Sequence, residues 1–374
     1  MNADSAMGTS LWSDQDRQLM RRALDLAARG RFTAPPNPCV GCVIVRDGQI
    51  IGEGFHVRAG EGHAEVNAAA AAGGDIRGAD VYVTLEPCSH YGRTPPCAEL
   101  LIRGGVRSVT AAMGDPNPRV SGAGFRMLEQ AGISTRCGLL REEAETLNRG
   151  FLKRMRTGLP YVRLKMGCSM DGRTALPDGT SKWITCAEAR RDVQAMRAAS
   201  SAILTTSATV LADNPSMNVR PAELPEEIRR IYPGEQVRQP LLALLDQHRR
   251  IPDEAAVLAP GREVLRFTAE PREGEIFYDA KREDALPAVF RELGARQIND
   301  VWIEAGARFA GSVISADLAD EIILYLAPVF LGADARPLAG FAAPATLGAA
   351  PSYRIRETAA VGSDLRVIME RKSV

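Results

Sequence analysis

The chain of 374 residues is long for a single hydrophobic core, which favours two domains. Its 46 basic and 46 acidic residues cancel and aromatic residues make up only 5%, a composition that disfavours binding to nucleic acid or to an anionic membrane. No apolar run reaches the roughly eighteen residues of a membrane span, and the polar residues 1–10 lack the apolar core of a signal peptide. Seven cysteines without an export signal indicate reduced thiols and a cytoplasmic protein.

Hydrophobic periodicity predicts alternating helices and strands in the first half of the chain. A helix capped by Ser13 carries apolar residues at helical spacing and ends at Gly30. After a rigid proline-rich loop, strands 40–45 and 50–54 are predicted to form a hairpin. The remaining predicted elements are helices 64–72, 97–103 and 125–130 and strands 81–85, 106–112 and 133–136. This alternation predicts a sheet that helices cover on both faces.

Two short motifs in this half carry little functional information. If the Cys-x-x-Cys motif of Cys39 and Cys42 enters a strand, its thiols point to opposite faces, so core packing is favoured over a redox or metal role. The sequence Gly122-Ala123-Gly124 lacks the third glycine of a dinucleotide-binding loop, so we interpret it as a turn.

The stretch from His63 to Cys97 has the residue types of a zinc site. One imidazole from His63 and two thiols from Cys88 and Cys97 can fill three places of a tetrahedral zinc site and leave the fourth for water. Zinc lowers the pKa of that water to about 7. Glu65 is then expected to carry protons without binding the metal, the arrangement found in zinc deaminases of nucleobases. The spacer between the cysteines is a Gly/Pro-interrupted loop, which lets the two thiols meet.

Other interpretations of this stretch stay open. The cysteines can be small hydrophobic residues of a core. A structural zinc in a binding or scaffold protein needs a fourth protein ligand, for which His90 is the candidate, and has no use for Glu65. A nucleic-acid base deaminase with an RNA-binding second domain needs a basic or aromatic face, which the composition does not favour.

The composition changes near Gly158, where a basic segment is broken by glycine and proline. We therefore predict one domain at residues 1–157 and another at 158–374. A helix is predicted at 187–199, and the predicted strands are 161–166, 203–204, 241–245, 301–303 and 322–326. These elements predict a second α/β unit.

Motifs along nearly the whole chain resemble those of the bifunctional deaminase–reductase family of riboflavin biosynthesis. In the first half they are Pro36-Asn37-Pro38-x-Val40-Gly41, His63-Ala64-Glu65-Val66, Thr84-Leu85-Glu86-Pro87-Cys88-Ser89-His90 and Gly92-Arg93-Thr94-Pro95-Pro96-Cys97. They continue as Asp115-Pro116-Asn117-Pro118, Ser169-Met170-Asp171-Gly172, Trp183-Ile184-Thr185 and Leu211-Ala212-Asp213-Asn214-Pro215.

The resemblance implies an α/β protein with a cytidine-deaminase-like α/β/α sandwich followed by a dihydrofolate-reductase-like α/β domain. The first domain would use zinc to deaminate a diaminopyrimidinone that carries a phosphoribosylamino arm. The second would use NADPH to reduce the ribosyl group to a ribityl chain. The resemblance also implies a small-molecule phosphoribosyl pyrimidine substrate and a homo-oligomer.

The resemblance further implies site residues in both domains. The pyrimidine pocket would include Asn37 and His56. Residues expected to contact the nicotinamide cofactor are Gly167, Trp183, Thr209 and Asp213. From the residues themselves, a turn at a helix start could offer backbone N–H groups to the diphosphate of the cofactor; it comprises Gly306, Ala307, Arg308, Phe309, Ala310, Gly311 and Ser312. Residues expected to contact the reductase substrate are Ser181, Arg197, Met217, Arg220 and Glu304.

Two details bear on charge in the second domain. Arg197 and Arg220 supply guanidinium groups suited to a substrate phosphate, although each alone could be a solvated surface charge. Gln247 stands where the family often carries serine near the cofactor phosphate, which leaves the preference for NADPH over NADH open.

Overall fold

The computed structural model describes residues 12–91, 95–117, 122–232 and 237–372. The chain forms two compact units, Met1–Arg156 and Thr157–Val374. No helix within the described ranges is long and apolar enough to cross a membrane.

The N-terminal unit contains one five-stranded sheet among its described residues, in the order β2-β1-β3-β4-β5. Strand β1 is antiparallel to β2 and β3, whereas β3, β4 and β5 are parallel. The strands are β1 (Gly41–Arg46), β2 (Gln49–Phe55), β3 (Asp80–Val83), β4 (Ser108–Ala111) and β5 (Ser134–Cys137). The helices are α1 (Asp14–Arg29), α2 (Ala64–Ala71), α3 (Cys97–Gly104), α4 (Ala123–Gln130), α5 (Arg141–Leu147) and α6 (Arg149–Thr157).

Successive side chains of β1 lie on opposite faces of this sheet and pack in two different apolar clusters. Cys42 and Ile44 pack with residues of α2, α3 and α4, whereas Val43 and Val45 pack with residues of α1 and α6. The predicted sheet with helices on both faces is therefore confirmed. Cys39 is also buried, in accord with the expected packing role of the Cys-x-x-Cys motif.

Glycines let two helices lie directly on the sheet. A Cβ at Gly41 would lie 2.0 Å from the carbonyl oxygen of Ala23 in α1. A Cβ at Gly54 would lie 2.4 Å from the amide nitrogen of Ala68 in α2. Neither approach leaves room for a side chain, so these two glycines set the distance of α1 and α2 from the strands.

The C-terminal unit contains a nine-stranded sheet among its described residues, in the order β11-β10-β9-β8-β12-β6-β13-β16-β15, and a small β14-β7 pair. The first seven strands in this order, from β11 at the edge to β13, run parallel to one another. Strand β16 is antiparallel to β13, and β15 is antiparallel to β16. The strands are β6 (Tyr161–Ser169), β7 (Arg173–Ala175), β8 (Ala202–Thr206), β9 (Leu241–Leu245), β10 (Val264–Thr268), β11 (Ile276–Phe277), β12 (Asp300–Glu304), β13 (Glu321–Ala327), β14 (Arg336–Pro337), β15 (Tyr353–Val361) and β16 (Asp364–Arg371).

Helices cover both faces of the larger sheet. They are α7 (Ala187–Ala198), α8 (Ser207–Asp213), α9 (Glu226–Ile231), α10 (Ala285–Ala295) and α11 (Ala307–Ser315). Residues of α10 and α11 join one apolar cluster with Leu164 of β6, and residues of α7 and α8 join another with Trp302 of β12.

The sequence prediction for residues 306–312, a turn at a helix start, is confirmed in its helix start and wrong in the extent of the turn. Residues 306–312 are the N-cap and first six residues of α11. Ala310, Val313 and Ile314 recur at helical spacing and are buried, which favours a helix at this position. The amide of Ala310 already donates to the carbonyl of Gly306, so only N–H groups at the very start of α11 remain for a ligand.

Candidate functional site

The N-terminal unit brings His63, Cys88 and Cys97 into one cluster. The Nδ1 atom of His63 lies 3.5 Å from the Sγ of Cys88 and 3.3 Å from the Sγ of Cys97. In a tetrahedral zinc site with ordinary Zn–N and Zn–S bonds, such N···S separations are about 3.5 Å. The donor set and its spacing therefore fit zinc.

Each cluster residue lies where a helix begins or a strand has just ended. His63 is the N-cap of α2, Cys88 follows β3, and Cys97 is the first residue of α3. The amide of Cys97 donates to the Sγ of Cys88 at 3.2 Å. The start of a helix carries partial positive charge, which stabilises a thiolate at this position.

The charges of the cluster are set by its contacts. A hydrogen bond between the side chains of Cys97 and Cys88 lowers the pKa of the Cys88 thiol. The same side-chain hydrogen bond, together with burial, raises the pKa of the Cys97 thiol. The contact with Cys88 raises the pKa of His63. The Cys88 thiol therefore ionises more readily than an ordinary thiol, which suits a zinc ligand.

Glu65 lies in α2 beside the cluster and is not one of its members. Its side chain is 3% exposed, and burial raises its pKa to about 7. A buried carboxyl with that pKa exchanges protons readily near neutral pH. The His-Cys-Cys group comprises only His63, Cys88 and Cys97 among the described residues, so it does not take in His90, which is exposed.

Asn37 and His56, both predicted to bind the pyrimidine, contact each other. The Nδ1 atom of His56 lies 3.1 Å from the carbonyl oxygen of Gly62, which can only accept, so Nδ1 carries the hydrogen. Burial lowers the pKa of His56 and favours the neutral ring. Its Nε2 therefore accepts from the Nδ2 of Asn37 at 3.0 Å, which fixes the orientation of the Asn37 amide.

Sequence reasoning missed two buried polar residues that hold the loops of this site. Asn148 donates to the carbonyl of Cys39 and accepts from its amide, at 3.0 and 2.8 Å, and so fixes the end of the loop that carries Asn37. Glu86 accepts backbone hydrogen bonds from residues 29 to 38 positions away. Neither role had a local sequence signal, because their partners are distant along the chain.

In the C-terminal unit, predicted substrate residues meet at the carboxyl edge of the parallel strands. Glu304 ends β12, and its two carboxylate oxygens accept from the Nε and Nη2 of Arg197 at 2.6 and 2.9 Å. The Nη1 of Arg197 donates to the carbonyl of Asn218 and its Nη2 to the sulfur of Met217. Arg197 is only 8% exposed, which excludes the alternative interpretation of this residue as a solvated surface charge.

The ion pair sets the charge of this edge. Burial alone would raise the pKa of Glu304, but the charge and hydrogen bonds of Arg197 lower it to about 2. Lys165, on the neighbouring strand β6, pairs in register with Glu304, and burial lowers its pKa. Sequence reasoning missed Lys165, although the alternation of β6 places it on the face opposite to Leu164 and Met166.

Of the other predicted substrate residues, Met217 contacts Arg197, whereas the contacts of Arg220 and Ser181 are local. Arg220 pairs with Glu223 through its Nε and Nη2 at 2.5 and 2.8 Å, and both side chains are partly exposed. Met217 is 4% exposed and accepts from Arg197. The carbonyl of Ser181 accepts from the amide of Ile184 in a turn before α7.

The predicted cofactor residues fall on four segments: strand β6, the loop before α7, helix α8 and the start of α11. Gly167 lies in β6, and a Cβ there would lie 3.2 Å from the side chain of Thr185. The ring of Trp183 is 69% exposed, and the guanidinium of Arg190 lies 4.4 Å from its centroid. Thr209 lies in α8, and the carbonyl of Asp213 at the end of α8 accepts from the Nζ of Lys182 at 2.8 Å.

The start of α11 and the turn after β9 lie at the same edge as Glu304. Gly306 caps α11 without a side-chain hydrogen bond, and its Cα faces open space. A helix start with open N–H groups fits a diphosphate. Gln247 accepts from the amide of Ala280 and donates to the carboxylate of Asp279, so its side chain is engaged with a neighbouring turn.

Two family models match the chain. The cytidine and deoxycytidylate deaminase zinc-binding region matches residues 13–113, which include the cluster and Glu65. The RibD C-terminal domain matches residues 160–367, more than half of the chain. The chain belongs to the RibD family. It therefore combines a zinc-binding deaminase region with the reductase domain of that family of riboflavin biosynthesis proteins.

Relatives and solved structures agree over nearly the full length. The riboflavin biosynthesis protein RibD of Haemophilus influenzae is 50% identical over 97% of this chain and 99% of its own, and that of Escherichia coli is 51% identical over 94% and 98%. The RibD structure from Acinetobacter baumannii superposes with a TM-score of 0.89 at 42% identity, covering 96% and 99% of the two chains. The structure of a diaminohydroxyphosphoribosylaminopyrimidine deaminase/5-amino-6-(5-phosphoribosylamino)uracil reductase from Thermotoga maritima gives a TM-score of 0.83 at 32% identity with the same coverage.

Proposed function

We propose that the chain catalyses two consecutive reactions on one phosphoribosyl pyrimidine. The first is hydrolytic deamination of 2,5-diamino-6-(5-phosphoribosylamino)pyrimidin-4-one by residues 1–157. The second is NADPH-dependent reduction of the resulting ribosyl group to ribityl by residues 158–374. The observation that carries the first assignment is the His63, Cys88 and Cys97 cluster with buried Glu65 beside it. The deaminase and reductase activities named for the Thermotoga maritima protein support both assignments.

In the deaminase, His63, Cys88 and Cys97 would hold zinc. When bound, zinc makes hydroxide available from water near neutral pH. Glu65 takes the proton of the attacking water at a carboxylate oxygen and delivers it to the departing amino nitrogen, so that water is consumed and ammonia is released. Asn37, held by His56, presents the remaining face of its amide to polar groups of the ring.

In the reductase, Arg197 and Arg220 would orient the substrate phosphate, and Glu304 with Lys165 would act at the sugar. When bound, NADPH supplies a hydride to the anomeric carbon. Opening of the sugar ring needs a proton on the ring oxygen, and the ammonium group of Lys165, whose pKa is lowered by burial, is suited to give it. The cofactor would lie over Gly167, Trp183, Thr209 and Asp213, with its diphosphate at the start of α11.

One assay tests both assignments. Purified protein with the diaminopyrimidinone phosphate should release ammonia without NADPH, and should oxidise NADPH only after the amino group has left. A comparison of NADPH with NADH as hydride donor tests whether the protein prefers NADPH when Gln247 stands in place of the serine that the family often carries. Release of no ammonia by the zinc-loaded protein would contradict the deaminase assignment.

The proposal extends to partners and location. A small phosphorylated pyrimidine is the substrate, with no nucleic acid or membrane partner, in a cytoplasmic homo-oligomer. The balanced charge of the chain supports the absence of a nucleic-acid partner. Light scattering measures the oligomeric state, and retention on an RNA column at low salt tests the rival nucleic-acid deaminase.

A further inference from the structure

Glu86 is a buried carboxylate to which the deamination scheme assigns no role. It is 3% exposed and lies two residues before Cys88. Its Oε2 accepts from the backbone N–H groups of Asp115 and Gly122 at 3.1 and 3.0 Å, and its Oε1 accepts from that of Gly124 at 3.0 Å. Three such donors satisfy a buried charge that would otherwise be costly.

These three donors come from two separate stretches of backbone. Asp115 follows β4, whereas Gly122 and Gly124 lie at the start of α4. A Cβ at Gly124 would lie 2.0 Å from the carbonyl oxygen of Pro87, so the start of α4 packs directly against the residue before Cys88. Glu86 therefore joins both stretches to the segment that carries a cluster cysteine.

Asp115 is the residue that this anchor brings to the cluster. Its side chain is half-buried and lies within electrostatic range of Glu86, Cys88 and His90, while its carboxylate accepts from the amide of Asn117 at 2.8 Å. The segment from Asp115 to Asn117 therefore lies near Cys88, and its position is set by the hydrogen bond from the amide of Asp115 to Glu86.

We propose that Glu86 is a positioning residue of the deaminase, whose carboxylate holds the 115–117 segment and the start of α4 beside Cys88 so that the pyrimidine binds in one orientation. This inference rests on the proposed deamination at the cluster. Glu86 acts through the backbone groups that it binds and is not a member of the His-Cys-Cys cluster.

The change Glu86→Gln tests the role with little change in shape. A glutamine side chain has one acceptor oxygen and one NH₂ group, so in either orientation at least one backbone N–H faces another donor. Zinc should stay at about one per chain, because the three ligands are untouched. The KM for deamination should rise about tenfold or more, the size of a lost hydrogen bond to a charged group. Reduction of the deaminated intermediate should not change.

Two measurements separate positioning from a general structural role. Hydrogen exchange at the amides of Asp115, Gly122 and Gly124 should accelerate in the variant. The matched change Glu129→Gln, on the exposed side of α4, should leave the KM for deamination and the amide exchange rates unchanged. If Glu86→Gln does not fold, Glu86→Asp keeps the charge, shortens its reach by one methylene and should also raise KM.

An unchanged KM in a folded, zinc-loaded variant would overturn the inference. So would loss of zinc, because Glu86 would then act on a metal ligand. Failure of the unchanged protein to release ammonia is a different outcome, since it would overturn the proposed deaminase function and the inference with it.

Discussion

The two candidate sites are assembled over very different distances along the chain. The metal cluster uses three residues between positions 63 and 97, each at the start of a helix or just after a strand. The ion pair of the C-terminal unit joins Arg197 to Glu304, 107 positions apart, the first on helix α7 and the second at the end of strand β12. The first site can be recognised from spacing alone, whereas the second exists only after the sheet has formed.

The sites also differ in what their polar groups stabilise. Cys97 begins α3, and its amide donates to the sulfur of Cys88, so both thiols are suited to a metal and their loss should affect metal binding more than the sheet. Arg197 and Glu304 are both buried and compensate each other, so removal of either breaks a buried ion pair. Four substitutions test this contrast.

The largest effect is expected from Cys88→Ser. A hydroxyl is a poor zinc ligand, so zinc should fall from about one per chain to almost none, and ammonia release should be lost. Reduction of the deaminated intermediate should persist, because that unit has its own core. Metal analysis and the two separate assays measure this, with exposed Cys137→Ser as the matched control. Full zinc occupancy in the Cys88 variant would refute the ligand assignment.

Glu65→Gln should separate chemistry from metal binding. The amide cannot carry the proton, so deamination should fall by about 10²–10⁴-fold while zinc is retained. Steady-state ammonia release and metal content measure the two effects. If zinc is lost together with activity, Glu65 is a ligand and the proton-transfer role is wrong.

Arg197→Ala should act on stability and on reduction together. Glu304 would lose its bidentate partner and keep only the indole N–H of Trp302 and the charge of Lys165, and breaking a buried ion pair costs about 3–5 kcal/mol of the free energy of unfolding. The KM for the substrate of reduction should rise strongly, whereas deamination should stay the same. Denaturant unfolding and both assays measure this. Arg291→Ala is the control for stability, because its pair with Asp284 is largely exposed and is worth about 0–1 kcal/mol. An unchanged KM would remove Arg197 from the substrate site.

The smallest effect concerns pH and the fold of the N-terminal unit. Burial would raise the pKa of Asp16, but its hydrogen bonds to Tyr82, Ser13 and Arg136 lower it to about 2. A lowered carboxyl pKa stabilises the fold above the ordinary value near 3.8, and this stability is lost as pH falls towards 2. Tyr82→Phe removes a 2.6 Å hydrogen bond and should reduce both stability at neutral pH and this acid dependence by about 1–2 kcal/mol. Acid unfolding curves of the two proteins measure the difference, and identical curves would contradict it.

Much of the local structure followed from pattern. The strand predicted at 241–245 has those bounds, and helix 187–199 ends one residue earlier than predicted. The helix start expected at 306–312 is present, but the turn does not extend through these residues, because buried residues at helical spacing continue α11 past both glycines. Elements such as α5, α8 and the strand pair β15–β16 were not predicted, since short or exposed segments have weak periodicity.

Residue types and short spacings were enough to predict the three candidate metal ligands, the role expected of Glu65 and the order of two α/β units. The contacts between distant residues became visible only in the folded chain: Arg197 pairs with Glu304, Lys165 lies beside them, and Glu86 binds the backbone at Asp115 and Gly124. Hydrogen bonds and ion pairs between distant segments depend on sheet order and helix placement. Those arise from burial of the whole apolar pattern, so no local stretch of sequence encodes them.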